Sequence, residues 1–146
     1  FQVDITKLAT LSGLKRDTII NYLSYLDKAK LIRLLYSDLK NIKRMQKPDK
    51  IYIDNTNLLN AWATAPIQIG TIRETFVANQ LSVNHVVEFR KTNGDFLVDS
   101  KYTFEVGGDD KDFQQIANVA DSFILADDME TAIGKKLPIW VVGFDY

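Results

Sequence analysis

The chain lacks cysteine altogether and has only one histidine and three prolines among 146 residues. Without cysteine it has no disulfide, no thiolate zinc site and no cysteine nucleophile, which fits a reducing compartment, so we expect a cytoplasmic protein. No apolar run approaches the roughly 18 residues that a membrane span needs, and no membrane partner is expected. His85 has no second His or Cys at metal-ligand spacing, which argues against a histidine-based metal site.

The charges are distributed unevenly along the chain. Residues 1–60 hold eleven Lys and Arg against six Asp, a net +5, whereas residues 61–146 hold seven basic against thirteen acidic residues, a net −6. A basic half can approach a phosphate backbone or an acidic protein surface, while an acidic half repels nucleic acid unless metal ions intervene. With 46% apolar and 25% charged residues the composition is globular. We therefore predict two units, residues 1–65 and residues 66–146.

The basic half has the pattern of a winged helix-turn-helix. Asp4 and Thr6 are candidate N-caps of a first short helix, and Gly13 is its candidate C-cap. A second helix is predicted over residues 15–30, because apolar residues recur there at helical spacing. Residues 31–36 and 50–54 read as two strands, joined by a long polar loop rich in lysine and arginine. This order is typical of a winged helix with a basic wing.

Two groups of polar residues in this unit are candidates for nucleic-acid binding. On the second helix, a major groove could be contacted by Lys15, Arg16, Asn21 and Tyr25. In the loop, backbone phosphates could be contacted by Lys43, Arg44 and Lys47. Two alternatives remain open, since winged helices also serve as protein-docking modules and a basic loop is often merely solvated. A net +5 is also modest for tight DNA binding.

The acidic half is predicted to have an α-β-β-β-α-β order, which makes the whole chain α+β. An apolar stripe predicts a helix over residues 71–81 that carries Glu74. Strands are predicted over residues 86–89, 95–98 and 101–106, with Asn93-Gly94 as a turn. A helix over residues 112–119 and strands over 122–126 and 139–144 complete the unit, with Trp140 expected in the core.

The register of the central hairpin can be predicted from its side chains. A three-residue loop sets Phe96 opposite Phe104 and Val98 opposite Tyr102, and it places Asp95 and Glu105 together on the other surface. A two-residue loop would mix polar and apolar residues on each face. Two carboxylates about 4 Å apart repel by on the order of 4 kcal/mol at an effective dielectric near 20. A bound Mg²⁺ or a shared proton would offset this repulsion.

This arrangement resembles the PD-(D/E)xK restriction-endonuclease-like fold, in which a helical Glu, a strand Asp and a strand Glu bind Mg²⁺ and a lysine orients the attacking water. The resemblance implies that Glu74, Asp95 and Glu105 are metal ligands and Mg²⁺ is the cofactor. The lysine of that family follows the second acid by two residues, and here the position is Gly107. The next lysine, Lys111, is expected to lie too far along the chain to replace it, which predicts a degenerate nuclease.

The order of several segments is also similar to the C-terminal half of bacterial and archaeal AAA-superfamily ATPases, which carry a winged helix and a nuclease-like domain of unknown function. The segments are "YLSYLDKAKLIRLL", "KIYIDNTNLLNA", "ETFVANQL", "GDFLVD" and "YTFEVGG". The resemblance implies a preceding ATPase domain, which would bind the ATP and be a partner of this chain. The chain itself has no P-loop, because Gly134-Lys135-Lys136 lacks the first glycine and the hydroxyl residue.

Three functions are therefore expected in order of preference. The first is a nucleic-acid-binding module with a degenerate nuclease-like unit, which binds DNA without catalysis. The second is a Mg²⁺-dependent DNA nuclease with an atypical active site. The third is a protein-interaction or regulatory surface for the ATPase domain.

Overall fold

The computed structural model describes residues 4–37, 39 and 46–144, and it begins with two helices. Helix α1 spans Ile5–Ser12 and helix α2 spans Arg16–Lys28. Asp4 is the N-cap of α1, since its carboxylate accepts a hydrogen bond from the Lys7 N–H at 2.9 Å. Gly13 ends α1 with a φ of 68°, a left-handed conformation that glycine adopts without strain. Both caps are among those predicted.

A two-stranded antiparallel sheet follows these helices. Strand β1 spans Ile32–Leu35 and strand β2 spans Lys50–Ile53, with Leu35 opposite Lys50. Asp49 closes the base of the connection between them, because its Oδ2 accepts hydrogen bonds from the N–H and the hydroxyl of Ser37, both at 2.8 Å. The start of β2 is therefore fixed both by strand pairing and by this carboxylate.

Two further helices lead to the larger sheet. Helix α3 spans Thr56–Trp62, and the side chain of Asn55 caps it by accepting a hydrogen bond from the Leu58 N–H at 3.0 Å. Helix α4 spans Ile69–Leu81 and starts two residues before its predicted beginning. Within the described part of the chain, no helix has both the length and the apolar character needed to cross a membrane.

The larger sheet has five strands in the order β3-β4-β5-β6-β7. The first three pair antiparallel, while β6 lies parallel to β5 and β7 parallel to β6. One face is covered by α4 and by a 3₁₀ helix at Ile139–Phe144, and the other by a small cluster around Ile116. The chain is thus a mixed α+β protein with two sheets. The strands are β3 Val87–Phe89, β4 Phe96–Val98, β5 Tyr102–Gly107, β6 Ser122–Ala126 and β7 Lys136–Pro138.

The main hydrophobic core contains residues from both predicted units. Leu35 of β1 and Tyr52 of β2 belong to the same buried cluster as Val77 of α4 and Phe96 of β4. The rings of Tyr52 and Phe96 lie 5.9 Å apart between centroids. The small sheet therefore packs directly on the larger one, and the core is continuous across the predicted boundary near residue 65.

The predicted hairpin register is confirmed. Phe96 lies opposite Phe104 and Val98 lies opposite Tyr102, with a three-residue connection at residues 99–101. In that connection Asp99 and Ser100 have φ values of 52° and 57°. The apolar pattern of the two strands was sufficient to choose between the two registers, because only this one keeps both phenylalanines on the core face.

The helix predicted over residues 112–119 is wrong. Only a short 3₁₀ helix at Gln114–Ile116 forms there. Phe113, Ile116 and Ala117 recur at helical spacing, but only Ile116 is buried, so no apolar stripe packs on the core. The Ser122 hydroxyl lies 3.3 Å from the carbonyl of Ile116 and 2.7 Å from that of Val119, and these contacts hold the segment in an irregular path.

The strand predicted over residues 139–144 is also wrong. The last strand is β7, which ends at Pro138, a residue without an N–H to continue a ladder. The following 3₁₀ helix buries Ile139 and Val142, three residues apart, against the core. Trp140 points away from this contact and is 49% exposed, so it is not the core residue that we expected.

Candidate active site

The three acids predicted as metal ligands come from three different elements that meet near the start of β4. Glu74 lies on α4, Asp95 directly precedes β4, and Glu105 lies within β5. Burial raises the pKa of Asp95 most, and the charges of Glu105 and Glu74 raise it further. Asp95 therefore lies within electrostatic range of both other acids.

Asp95 is held by the backbone of β5. Its N–H donates to the carbonyl of Phe104 at 2.8 Å, and its Oδ2 accepts from the N–H of Val106 at 2.8 Å. Burial raises the pKa of Asp95 to about 6, against the lowering effect of the Val106 hydrogen bond and of Lys50. Because the ionised form is disfavoured here, a proton or a nearby cation would stabilise this carboxyl group.

Glu105 is only 3% exposed and is paired with a lysine from the loop after β5. The Nζ of Lys111 lies 2.5 Å from Glu105 Oε1 and also donates to Gln115 Oε1 at 2.8 Å. A buried carboxylate needs such a partner, because removing an isolated charge from water is costly. Lys111 supplies it from six residues away in sequence.

Although Lys111 was expected to lie too far along the chain to replace a lysine at position 107, its ammonium reaches Glu105. A Cβ built on Gly107 would lie 2.7 Å from both Cβ and Cγ of Lys111 and 3.0 Å from its Cδ. The stem of Lys111 therefore passes directly over Gly107. The missing side chain at Gly107 provides the space through which the Lys111 ammonium reaches Glu105.

Glu74 is bound by two side chains from β2 that the sequence analysis missed. Its Oε2 lies 2.5 Å from Lys50 Nζ and accepts a hydrogen bond from the Tyr52 hydroxyl at 2.6 Å. Burial raises the pKa of Tyr52, and the negative charge of Glu74 raises it further, so the phenol stays a proton donor. Lys50 and Tyr52 are two residues apart and therefore lie on the same face of β2. The sequence shows this spacing, but it does not show that this face meets Glu74.

The donor set suits a hard cation such as Mg²⁺. The three acids offer carboxylate oxygens, which are the ligands that Mg²⁺ prefers. The contacts above use one oxygen of each acid, namely Glu74 Oε2, Asp95 Oδ2 and Glu105 Oε1. Over residues 4–37, 39 and 46–144, no group of three or more His, Cys, Asp or Glu side chains is arranged as a metal-binding cluster. In this arrangement two ammonium groups contact the acids that we expected to bind the ion.

Five of the seven predicted nucleic-acid-binding residues are exposed on the first unit. Lys15 is the N-cap residue of α2, and Arg16 lies 3.4 Å from Asp17. Asn21 and Tyr25 are exposed one helical turn apart on α2. Lys47 is exposed, whereas Lys43 and Arg44 lie outside the described residues.

No family model matches the chain, and neither the curated proteins nor the solved structures give a match. The class of this protein is therefore described by its mixed α+β fold alone.

Proposed function

We propose that the chain is a Mg²⁺-dependent phosphodiesterase that cleaves DNA, with Glu74, Asp95 and Glu105 as metal ligands and Lys111 as the lysine of the site. The observation that carries this proposal is the path of Lys111 over Gly107 to Glu105. A lysine at position 107 would stand on the same face of β5 as Glu105, because the strand period is two. Lys111 brings an ammonium to that face from the following loop.

The order of the elements supports the proposal. Helix α4 precedes the antiparallel strands β3, β4 and β5, and β6 lies parallel to β5. This is the order that a restriction-endonuclease-like unit would have, with the 3₁₀ helix Gln114–Ile116 in the place of its second helix. In the same way, α1, α2, β1 and β2 are the elements that a winged helix would use.

The chemistry expected at this site is the attack of water on phosphorus, which breaks one P–O bond. When bound, Mg²⁺ would lower the pKa of that water and offset charge on the phosphate. Lys111 has three N–H donors and uses two on Glu105 and Gln115, which leaves one to orient the water or a phosphate oxygen. The Val106 N–H fixes the carboxylate of Asp95 and so limits its motion during the reaction.

The test is cleavage of labelled duplex and single-stranded DNA in Mg²⁺ or Mn²⁺. We expect Glu105→Gln and Lys111→Met each to lower the rate by about 10²-fold or more, as loss of one electrostatic group in an active site does. A further variant exchanges the two positions, Gly107→Lys with Lys111→Gly, and we expect it to recover part of the rate. Lys101→Met, at the other end of the hairpin, is the matched control and should cleave like the wild type.

Two results would refute this function. One is the absence of cleavage by the wild-type chain in both metal ions. The other is cleavage that survives both Glu105→Gln and Lys111→Met, because the activity would then belong to a different site. Failure of the exchange variant alone would show that the position of the lysine stem matters as well as its charge.

A second candidate function is nucleic-acid binding without cleavage. It is favoured by the outward face of α2, where Tyr22 and Tyr25 are 52% and 60% exposed beside Asn21. Retention of DNA without cleavage in the same assay would support this function. If the chain neither retains nor cleaves DNA, the third expectation, a protein-interaction surface, is favoured. That the chain is part of an AAA-type ATPase remains a proposal from sequence resemblance.

A further inference from the structure

Lys50 contacts one member of the acid cluster, by which we mean Glu74, Asp95 and Glu105. Its ammonium lies 2.5 Å from Glu74 Oε2, the same oxygen that accepts the hydrogen bond of Tyr52. Lys50 therefore compensates the negative charge of Glu74, which is the task that a divalent cation would perform there.

The position of Lys50 is fixed by its surroundings. Its ammonium lies 5.1 Å from the centre of the Tyr52 ring and 5.3 Å from that of the Phe89 ring, within cation–π range. The backbone of Lys50 is paired with Leu35 in the small sheet, and Asp49 next to it is tied to Ser37. With a side chain that is 17% exposed, Lys50 is part of the packed structure.

Lys50 differs from Lys111 in its origin. Lys111 follows β5 within the predicted nuclease-like unit, whereas Lys50 comes from β2 in the predicted winged-helix unit. Glu74 joins the two units at this point, because it lies on α4 and holds both Lys50 and Tyr52. A change in the position of β2 would therefore change the charge environment of the acid cluster.

We infer that Lys50 is a built-in counter-ion that competes with a divalent cation for Glu74, so that metal binding requires its ammonium to withdraw from this carboxylate. The inference rests on the proposed function only for the identity of the metal ligands. Binding of the divalent cation would then depend on the first unit, because that unit supplies the competing charge of Lys50. The site is then regulated by the packing of β2 on α4.

The test is the affinity of the whole chain for Mn²⁺, measured by calorimetry or by the electron paramagnetic resonance signal of free Mn²⁺. Lys50→Met keeps the aliphatic stem and removes the charge, and we expect it to bind Mn²⁺ about tenfold more tightly or better. Lys50→Arg keeps the charge and should bind like the wild type. Lys101→Met is the matched control. Lys50→Gln replaces Lys50→Met if circular dichroism shows that the methionine variant is unfolded.

A second substitution locates the effect. Glu74→Gln added to Lys50→Met should cancel the gain in affinity, because the competition is for this carboxylate. A gain that persists in the double variant would place the competition elsewhere and overturn the inference.

The outcomes separate the inference from the proposed function. Equal or weaker Mn²⁺ binding by Lys50→Met, with binding by the wild type, overturns the inference and leaves the proposed function standing. Binding by Lys50→Met but not by the wild type supports the inference and counts against hydrolysis by the natural chain. Binding by neither protein overturns both.

Discussion

The stem of Lys111 fills the space beside Gly107, since a Cβ added to Gly107 would lie 2.7 Å from two carbons of Lys111. Gly107→Ala must therefore displace the lysine or the strand. We expect it to lower the free energy of unfolding by about 1–3 kcal/mol, the usual cost of an overpacked site. Urea unfolding measures this loss, and it should be accompanied by reduced DNA cleavage.

Gly70 is the matched control for this substitution. It is the second residue of α4, and nothing lies within 4 Å of a Cβ built there. Gly70→Ala should therefore raise the free energy of unfolding by about 0.5–1 kcal/mol, because alanine has the higher helix propensity. Equal effects of the two substitutions would show that Lys111 does not occupy the space beside Gly107.

The pKa of Asp95 predicts how stability depends on pH. The value of about 6 in the folded chain exceeds the ordinary 3.8, so the folded state binds this proton more tightly than the unfolded state. The contribution of Asp95 to stability is therefore complete below about pH 4 and is lost as the pH rises to about 6 and above. Asp95→Asn should be more stable than the wild type near neutral pH by up to about 3 kcal/mol, converted from roughly two pKa units.

Unfolding in urea across this pH range measures the difference, which should shrink toward zero at about pH 4. Asp99→Asn is a control of opposite sign. The hydrogen bond from the Val86 N–H and the contact with His85 hold the pKa of Asp99 below its usual value. This contribution is present above the ordinary pKa of Asp and is lost as the pH falls, so Asp99→Asn should be destabilised near neutral pH only. A pH-independent effect of Asp95→Asn would contradict the raised pKa.

A buried ion pair joins β1 to the end of β2. Arg33 Nη2 lies 2.8 Å from Asp54 Oδ1, and the two side chains are 13% and 10% exposed. Arg33→Met should destabilise the fold by about 3–5 kcal/mol, because it leaves Asp54 as an uncompensated buried charge. Adding Asp54→Asn should recover part of the loss, and thermal unfolding of the single and double variants measures the coupling. Strict additivity of the two effects would exclude a direct interaction.

The second candidate function predicts a specific salt dependence of DNA binding. If Lys15 contacts a phosphate, Lys15→Met should reduce the slope of log K against log salt by about 0.9. Asn21→Ala should leave that slope unchanged and alter sequence preference, because amide side chains read base edges. Fluorescence anisotropy at several salt concentrations measures both, and identical slopes for Lys15→Met and the wild type would remove Lys15 from the interface.

Elements with strong local patterns were predictable from the sequence. The hairpin register followed from Phe96, Val98, Tyr102 and Phe104, because a slip by one residue would reverse the faces of the whole strand. The Asp4 and Gly13 caps followed from residue type. A strand was wrongly predicted over residues 139–144 because an apolar run of this length fits a strand. Its packing against α4, which selects a 3₁₀ helix, is not visible in the sequence.

The three acids could be singled out from the sequence, but the side chains that contact them could not. Glu74, Asp95 and Glu105 stood out because paired carboxylates on neighbouring elements are unusual. Lys50 and Tyr52 lie more than twenty residues from Glu74 in sequence and meet it only through tertiary packing. The sequence shows only how far Lys111 lies from Glu105 along the chain, whereas the bend after β5 decides how far apart they lie in space.

The continuous core around Tyr52 and Phe96 has a consequence for how this protein can be divided. A chain cut near residue 65 would leave Phe96 without the Tyr52 ring that packs on it, and Glu74 without both of its partners from β2. The two halves differ in net charge and in sequence pattern, yet they should unfold in one calorimetric transition. Modularity visible in the sequence does not imply that either half is stable alone.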